Sequence, residues 1–353
     1  MPFVGHPEYR RRIHHEIRVA VAVAAPAEQT HSVTDPDAVA DVLRAYGITD
    51  AVVTPLDIHG STSVSLIVPA DGVELMLKRA AAAPETRVRL VEQVELTREL
   101  FEHGVPVAAP IVALTGEPVV CIDDVVFTLS MRLTARTPGV PNRSEVWAGV
   151  GAQLATLHAA LEECAASARG WTMDLPRQLA DEIWPAFDES TDASGTLLLD
   201  PADRRELSDR VAGLPVQRLH GDMHGGNILL DGQGVYGIVD FDEIPIGPRV
   251  NDIGYYAADL VKNRADLPGD VVDTIGAVVA GYHEAAALSG RELDALVPLM
   301  IISELRLLWW FRGASGDSPQ RDIHLDTLGW ILAHRGVLER AVTAVARRSQ
   351  EHG

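Results

Sequence analysis

Between Leu219 and Glu243 the chain reads LHGDMHGGNILLDGQGVYGIVDFDE, and this stretch limits the possible folds more than any other. Histidines, acids and glycines crowd its first half, acids mark its end, and two β-like apolar runs, 227–231 and 234–241, lie between them. Asp231-Gly232 marks a turn, so the two runs read as a hairpin. Asn227 follows Asp222 by five residues, and Asp240 follows Asn227 by thirteen. A hairpin of that length can return Asp240 toward Asn227. Gly225 and Gly226 let the preceding loop turn tightly, because neither carries a Cβ that would clash. Any exposed hairpin can hold several acids, and His-x-Asp or Asp-x-Asp alone recurs by chance. The upstream sequence therefore has to decide whether the pattern carries chemistry.

The residue types and spacing agree with a phosphoryl-transfer loop, in which H-R-D-x-x-x-x-N precedes the metal-binding aspartate of D-F-G. Here the text is H-G-D-M-H-G-G-N and then D-F-D. A hydroxyl that attacks a γ-phosphate needs a carboxylate to orient it and accept its proton, and Asp222 is placed for that. Magnesium takes oxygen ligands, which Asn227 and Asp240 offer. Such a site also needs a strand lysine on the phosphate oxygens, held by a helix glutamate. Lysine occurs only at Lys78 and Lys262. A lysine kept in so arginine-rich a chain points to work that a guanidinium does badly. Lys78 ends the predicted strand VELMLK, and Glu92 lies one helix later, with Glu95 as the alternative partner. The turn HGSTS, which contains Gly60 and Ser61, stands where a phosphate-covering loop belongs, although no GxGxxG occurs there.

The rest of the chain sorts by period. Val39, Val42, Leu43 and Tyr46 fall at helical spacing, with Asp35 or Asp37 as cap and Gly47 as stop. AVVTPLDIHG, STSVSLIVPADG and VELMLKRA read as strands. TRVRLVEQVELTRELFEHG reads as an amphipathic helix through Val91, Val94, Leu96 and Leu100, and VPVAAPIVAL and VVFTLSMRL as two further strands. After Arg136 the text turns helical, with Ser144 as a cap, and the hairpin at 227–241 interrupts it. The expected organisation is an extension at 1–33, a sheet-based lobe at 34–132 and a mainly helical lobe at 133–353.

The segments RLHGDMHGGNILL, GIVDFDEIPIGPRVNDIGYYA, LMLKR, HGVPVAAPI and VGAQLATLHAAL together resemble the aminoglycoside phosphotransferase and choline kinase superfamily. That superfamily includes type II homoserine kinases and the bacterial stress-response Ser/Thr kinase. The resemblance spans about residues 37–313. It implies an α+β, protein-kinase-like bilobal fold: a small N-terminal antiparallel sheet with one helix, a larger mainly helical C-terminal lobe, and ATP and Mg2+ as cofactors. It implies Asp222 as the base and Asn227 and Asp240 as magnesium ligands. Lys78 would bind the α- and β-phosphates, with Glu92 orienting it. The segment from Ser130 through Arg132 to Leu133 would contact adenine through its backbone, and His220 would brace the loop. Asp242 stands in the place of the kinase glycine, as a second metal contact or facing the acceptor. His224 either touches the acceptor or steadies the loop. Asp252, in NDIGYY, caps a helix or braces the catalytic loop.

Charge and composition remove other classes. The net charge of −20 excludes a nucleic-acid surface, which has to be basic. It also steers cationic acceptors inward, so a cationic acceptor is one expectation. No stretch approaches the length of apolar sequence a membrane-spanning helix needs. Two cysteines at unrelated positions fit a reduced, cytoplasmic protein. Arg10, Arg11 and Arg12 precede an apolar run at 19–25, but His14, His15, Glu16 and Arg18 intervene, so an extension or an added strand is expected rather than a secretory signal. His158, on the apolar face of LATLHAAL, reads as a buried structural histidine. Trp309, Trp310 and Phe311, with Glu304 and Arg306 just before them, read as helix packing or as a wall of the acceptor pocket. The expected activity is ATP- and magnesium-dependent phosphorylation of a hydroxyl on a small molecule: an antibiotic such as an aminoglycoside, an amino alcohol, a sugar or a homoserine-like metabolite. The alternatives are a protein Ser/Thr kinase and a non-catalytic nucleotide-binding protein. The lack of an activation segment before Asn251 favours small acceptors, and the intact set Lys78, Asp222, Asn227 and Asp240 speaks against a dead enzyme.

Overall fold

Alternation along the strands decides what each face of the N-terminal sheet can hold. The computed structural model describes residues 36–56, 63–134, 144–164, 171–188, 199–267, 269–311 and 319–351. The extension at 1–33, the cap Asp35 and the loop residues Gly60 and Ser61 lie outside the described residues. The chain divides into two compact units; the first takes the described residues up to 134, Cys164 and Tyr236–Asp242, and the second takes the others.

In the first unit, helix α1 (Pro36–Ala45) precedes strands β1 (Ala51–Leu56), β2 (Ser63–Pro69) and β3 (Leu75–Ala81). Helix α2 (Pro84–Glu102) follows, then β4 (Pro110–Ile111), β5 (Val120–Ile122) and β6 (Val125–Met131). The strands form an antiparallel sheet in the order β1-β2-β3-β6-β4, with β5 also on β6. Leu75 and Leu77 of β3 and Phe127 and Leu129 of β6 pack with Val39, Val42, Leu43 and Tyr46 of α1. Val126, one residue out of phase, packs instead with Leu90 and Val94 of α2. Because side chains alternate along a strand, each sheet face has its own helix. Lys78 is out of phase with Leu75 and Leu77, which puts it on the face of α2.

Two expectations change here. VPVAAPIVAL is not one strand: only Pro110–Ile111 joins the ladder, while Val107 makes a single bridge to Ile238. Pro106 and Pro110 have no N–H to give, which breaks a continuous ladder. Strand β5 was not expected, since the acids Asp123 and Asp124 obscured the hairpin. Ile122 pairs with Val125, and Asp123 turns the chain at φ 50°, a left-handed conformation that Asp tolerates better than most residues.

The second unit is mainly helical. Helix α3 (Ser144–Glu163) leads to α4 (Leu175–Gln178), a π turn (Leu179–Ile183), α5 (Trp184–Asp188) and α6 (Pro201–Val211). Strand β7 (Val216–Arg218) pairs antiparallel with β10 (Ile246–Pro248); the hairpin read from the sequence, β8 (Ile228–Asp231) with β9 (Gly234–Ile238), begins in this unit, while its residues from Tyr236 on count with the first. Asp231 Oδ1 sets its turn by accepting the N–H groups of Gln233 (2.7 Å) and Gly234 (3.2 Å). Then come α7 (Val250–Lys262), α8 (Val271–Ala285), α9 (Gly290–Phe311), α10 (Pro319–Ala333) and α11 (Arg335–Glu351). Helices α3 and α8 cross so closely that a Cβ on Gly151 would overlap the Val278 carbonyl and one on Gly281 the Ala148 carbonyl. No helix among the described residues is long and apolar enough to cross a membrane.

Candidate active site

The loop at 220–227 lies within the second unit, and α7 fixes its backbone. Asp252, in the first turn of α7, accepts the N–H groups of His220 (2.9 Å) and Gly221 (3.1 Å). The Nε2 of His158 lies 3.1 Å from Asp252, and its Nδ1 lies 2.8 Å from the Tyr282 hydroxyl. With 2% and 0% of their surfaces exposed, His158 and Asp252 are buried groups satisfied by each other and by the loop. Arg249 occupies the N-cap of α7 and makes no side-chain cap, so Asp252 braces the loop rather than capping the helix.

Inside the loop, each histidine accepts a backbone bond. His220 Nδ1 takes the Asp222 N–H (3.3 Å) and His224 Nδ1 takes the Gly226 N–H (3.0 Å). A neutral imidazole that accepts at Nδ1 carries its proton on Nε2, and Nε2 of His224 stands 3.6 Å from Asp222 Oδ2. Asn227 Nδ2 donates to the Asp222 carbonyl (2.8 Å) and to Oδ2 (3.1 Å), while the Tyr255 hydroxyl donates to Oδ1 (3.3 Å). Burial alone would raise the pKa of Asp222; His224, His220 and Tyr255 outweigh it and hold the carboxyl below the usual aspartate value. Burial, then the Asp222 charge, push Tyr255 well above the usual phenol value, so it stays a donor.

Asp252, Tyr255 and Asp259 sit at i, i+3 and i+7 on α7 and therefore share one face. Asp259 Oδ2 accepts the Gly225 N–H (2.8 Å), and Lys262 Nζ lies 2.7 Å from Oδ1. Burial would raise the Asp259 carboxyl, but Lys262 and His224 lower it below its ordinary value. A Cβ at residue 225 would lie 3.1 Å from that same Oδ2. One helix face thus holds the loop at 220, 221, 222 and 225. Tyr255 and Asp259 were not singled out from the sequence, although their helical spacing from Asp252 is visible in NDIGYYAADLVK.

In the first unit, Lys78 Nζ bonds Asp242 Oδ1 (3.2 Å) and Oδ2 (3.3 Å) and lies 4.0 Å from Asp240 Oδ1. Gln93 Nε2 also donates to Asp242 Oδ1 (2.6 Å), and Arg89 Nη1 is 3.7 Å from Oδ2. Asp242 is therefore a partner of Lys78 and α2, a contact that neither reading of it had anticipated; nothing in the sequence marked Gln93. Glu92 is half-buried on the α2 stripe of Arg89 and Gln93, whereas Glu95 is exposed. Asp240 adopts φ 72°, an uncommon conformation for a residue with a Cβ. Two residues earlier, the Ile238 N–H is fixed on the Pro106 carbonyl (2.8 Å). In the segment expected at adenine, the N–H groups of Met131 and Arg132 are used on the carbonyls of Ala109 and Glu74 (both 2.9 Å), and the Arg132 guanidinium pairs with Glu74 (2.8 Å). Ser130 lies within β6.

One buried polar atom in the loop is left without a hydrogen bond. Asn227 Oδ1 is buried and accepts no hydrogen bond, although its amide nitrogen is doubly used on Asp222. A buried carbonyl oxygen with both lone pairs open fits an oxygen-seeking divalent cation.

The model of the phosphotransferase enzyme family (APH) matches residues 52–291. The chain belongs to this family. Its enzymes use ATP and a divalent metal. Stress response kinase A of Escherichia coli strain K12 is 25% identical over 291 residues, covering 80% of this chain and 84% of that one. Among solved structures, the amicoumacin kinase hAmiN in complex with AMP-PNP, Ca2+ and Ami matches with a TM-score of 0.64 at 15% identity, over 87% of this chain and 93% of that one. An aminoglycoside phosphotransferase from Alicyclobacillus acidocaldarius subsp. acidocaldarius DSM 446 matches with a TM-score of 0.63 at 18% identity, over 93% of this chain and 99% of that one. At such identities the likeness shows the fold, which is the protein-kinase-like one. The small antiparallel sheet and the mainly helical remainder of this phosphotransferase agree with it.

Proposed function

We propose that this phosphotransferase moves the γ-phosphoryl group of ATP directly to a hydroxyl of a small molecule, with Asp222 as the base. The observation that carries the reading is the state of Asp222: held ionised, with each carboxylate oxygen given one donor and so left with a lone pair. A hydroxyl can donate there. A carboxylate of lowered pKa is a weak base, so Asp222 orients the hydroxyl and takes its proton late. That suits a loose transition state in which the attacking oxygen gains little bonding before the phosphoryl group departs. When bound, the divalent metal neutralises charge on the transferring group; Asn227, through Oδ1, and Asp240 would hold it. Lys78 would bind phosphate oxygens, with Glu92 beside it and Asp242 sharing its charge. The segment from Ser130 to Leu133 would meet adenine. His220 supports the loop, and His224 steadies it and stands within reach of the acceptor.

The passage from Asp240 straight into β10 and α7 leaves no long segment to dock a polypeptide, which supports a small acceptor. The similarity to Stress response kinase A favours a second reading, a protein Ser/Thr kinase. A coupled ADP-release assay over aminoglycosides, amino alcohols, sugars and hydroxy acids, run beside phosphate transfer to protein, separates the two. The proposal expects acceptor-dependent ADP release that Asp222→Ala abolishes. Phosphate uptake by protein with no small acceptor would transfer the case to the second reading, and failure to bind ATP would end both.

A further inference from the structure

Three helices of the second unit meet at a chain of buried polar groups: Tyr282 on α8, His158 on α3 and Asp252 on α7. The crossing of α3 and α8 brings the first two together. A Cβ on Gly151 would lie 2.6 Å from the Tyr282 nitrogen, so the two backbones approach as only glycine allows. The Tyr282 hydroxyl lies 2.8 Å from His158 Nδ1, and His158 Nε2 lies 3.1 Å from Asp252 Oδ2. A carboxylate only accepts, so Nε2 carries the proton; in the neutral ring Nδ1 then accepts, and Tyr282 donates to it. Burial holds the Tyr282 hydroxyl above the usual phenol value, which keeps that proton in place. The Arg249 guanidinium lies over the Tyr282 ring at 6.0 Å and is itself fixed on Glu292 (2.7 and 3.2 Å).

Apolar side chains would fill such a junction at least as well, because every buried polar group gives up its water. The polar chain does something packing does not: it ends on the catalytic loop. Asp252 Oδ2 receives two donors, His158 Nε2 and the His220 N–H (2.9 Å), while Oδ1 receives the Gly221 N–H (3.1 Å). His158 thus fixes the rotation of the carboxylate, and the carboxylate fixes two consecutive loop amides. Gly221, at φ 83°, joins them directly to Asp222.

We infer that Tyr282 and His158 are positioning residues for the base: Tyr282 holds the His158 ring so that its Nε2 proton meets Asp252, and the carboxylate so oriented holds the amides that set Asp222. The inference rests on Asp222 as the base of the proposed phosphotransfer. Tyr282 thereby acts on turnover through two intervening side chains.

The test compares the full chain as wild type, Tyr282→Phe, His158→Gln, His158→Leu and the double variant of Tyr282→Phe with His158→Leu. ADP release with water, kanamycin, 3-aminopropanol and L-homoserine as acceptor probes gives kcat and the KM for ATP. Hydrogen exchange reads the His220 and Gly221 amides, and urea unfolding reads stability. Tyr282→Phe should lower kcat roughly 10-fold, as one lost hydrogen bond can. His158→Leu should lower it roughly 100-fold, as a misplaced base does. The KM for ATP should stay unchanged in both, and both amides should exchange faster. His158→Gln, whose amide still donates to Asp252, should recover most of the loss. Because Tyr282 acts through His158, its substitution should add nothing in the His158→Leu background. The 15N shifts of the His158 ring should report a proton on Nε2. Additive losses in the double variant overturn the inference, as does a His158 proton on Nδ1. So does a fall in kcat that only follows the folded fraction, or unchanged exchange at residues 220 and 221. If His158→Leu does not fold, Tyr282→Phe, which removes a single oxygen, decides by its exchange and its kcat. Wild-type turnover in Asp222→Ala would instead count against the base reading itself.

Discussion

Asp222 can orient a hydroxyl only while ionised, and its neighbours decide over what range of pH that holds. Its carboxyl titrates below the usual aspartate value despite burial, because His224, His220 and Tyr255 favour the charged form. A group lowered in this way keeps its function above that value and loses it as pH falls through it. The acid limb of kcat/KM should therefore lie below the ordinary aspartate range. Tyr255→Phe removes the hydroxyl donor at 3.3 Å, so the same limb should move to higher pH, with turnover at neutral pH affected much less. A pH profile in which the limb stays in place would show that Tyr255 does not tune the base. Asp222→Asn should lower kcat by roughly 100- to 10,000-fold and leave the KM for ATP nearly unchanged, as measured by ADP release. Residues of this kind differ in how visible they are in sequence. His220, Asp222, Asn227 and Asp240 carry a fixed spacing and can be read directly. Gln93 carries no such mark, because its contact with Asp242 depends on α2 lying over the face of β3 that holds Lys78.

At the scale of elements, α7 is the template of the loop. Its face presents Asp252, Tyr255 and Asp259 at helical spacing to successive loop positions. Removing the cation that neutralises Asp259 leaves a carboxylate that is 4% exposed without its counter-charge, held only by the Gly225 N–H. Lys262→Met should therefore cost about 3–5 kcal/mol at neutral pH, read from urea unfolding. The pKa of Asp259 is lowered in the native protein, so its contribution is complete above the ordinary carboxylate value and fades as pH falls through the lowered one. In Lys262→Met the carboxyl loses its partner and protonates more readily. The gap between the two proteins should narrow toward acid pH; a constant gap would mean that the pair contributes packing only. Gly225→Ala tests the same contact from the loop side. Its Cβ would press on Asp259 Oδ2 at 3.1 Å, so the loop has to shift by a few tenths of an ångström. A fall in kcat larger than the fall in stability is the expected outcome. The period of α7 was legible as a helix, but which face met the loop was not, since that depends on where β7 and β10 deliver residue 219. The break in the strand at Pro110 and the short strand β5 were hidden for a related reason: partners that are remote in sequence set where a ladder stops.

For the whole molecule, the class of fold was readable because period two gave way to period 3.6 after the sixth strand, and the acceptor was not, because no spacing encodes it. The net charge of −20 nevertheless makes the acceptor question measurable. A field of that sign repels anions and attracts cations over about 30 Å at 0.01 M salt, and over only about 8 Å at 0.15 M. ATP with its metal is anionic, and so is a hydroxy acid. Raising NaCl across that range should increase kcat/KM for both when encounter contributes to the rate. A cationic amino alcohol or aminoglycoside should show the opposite slope.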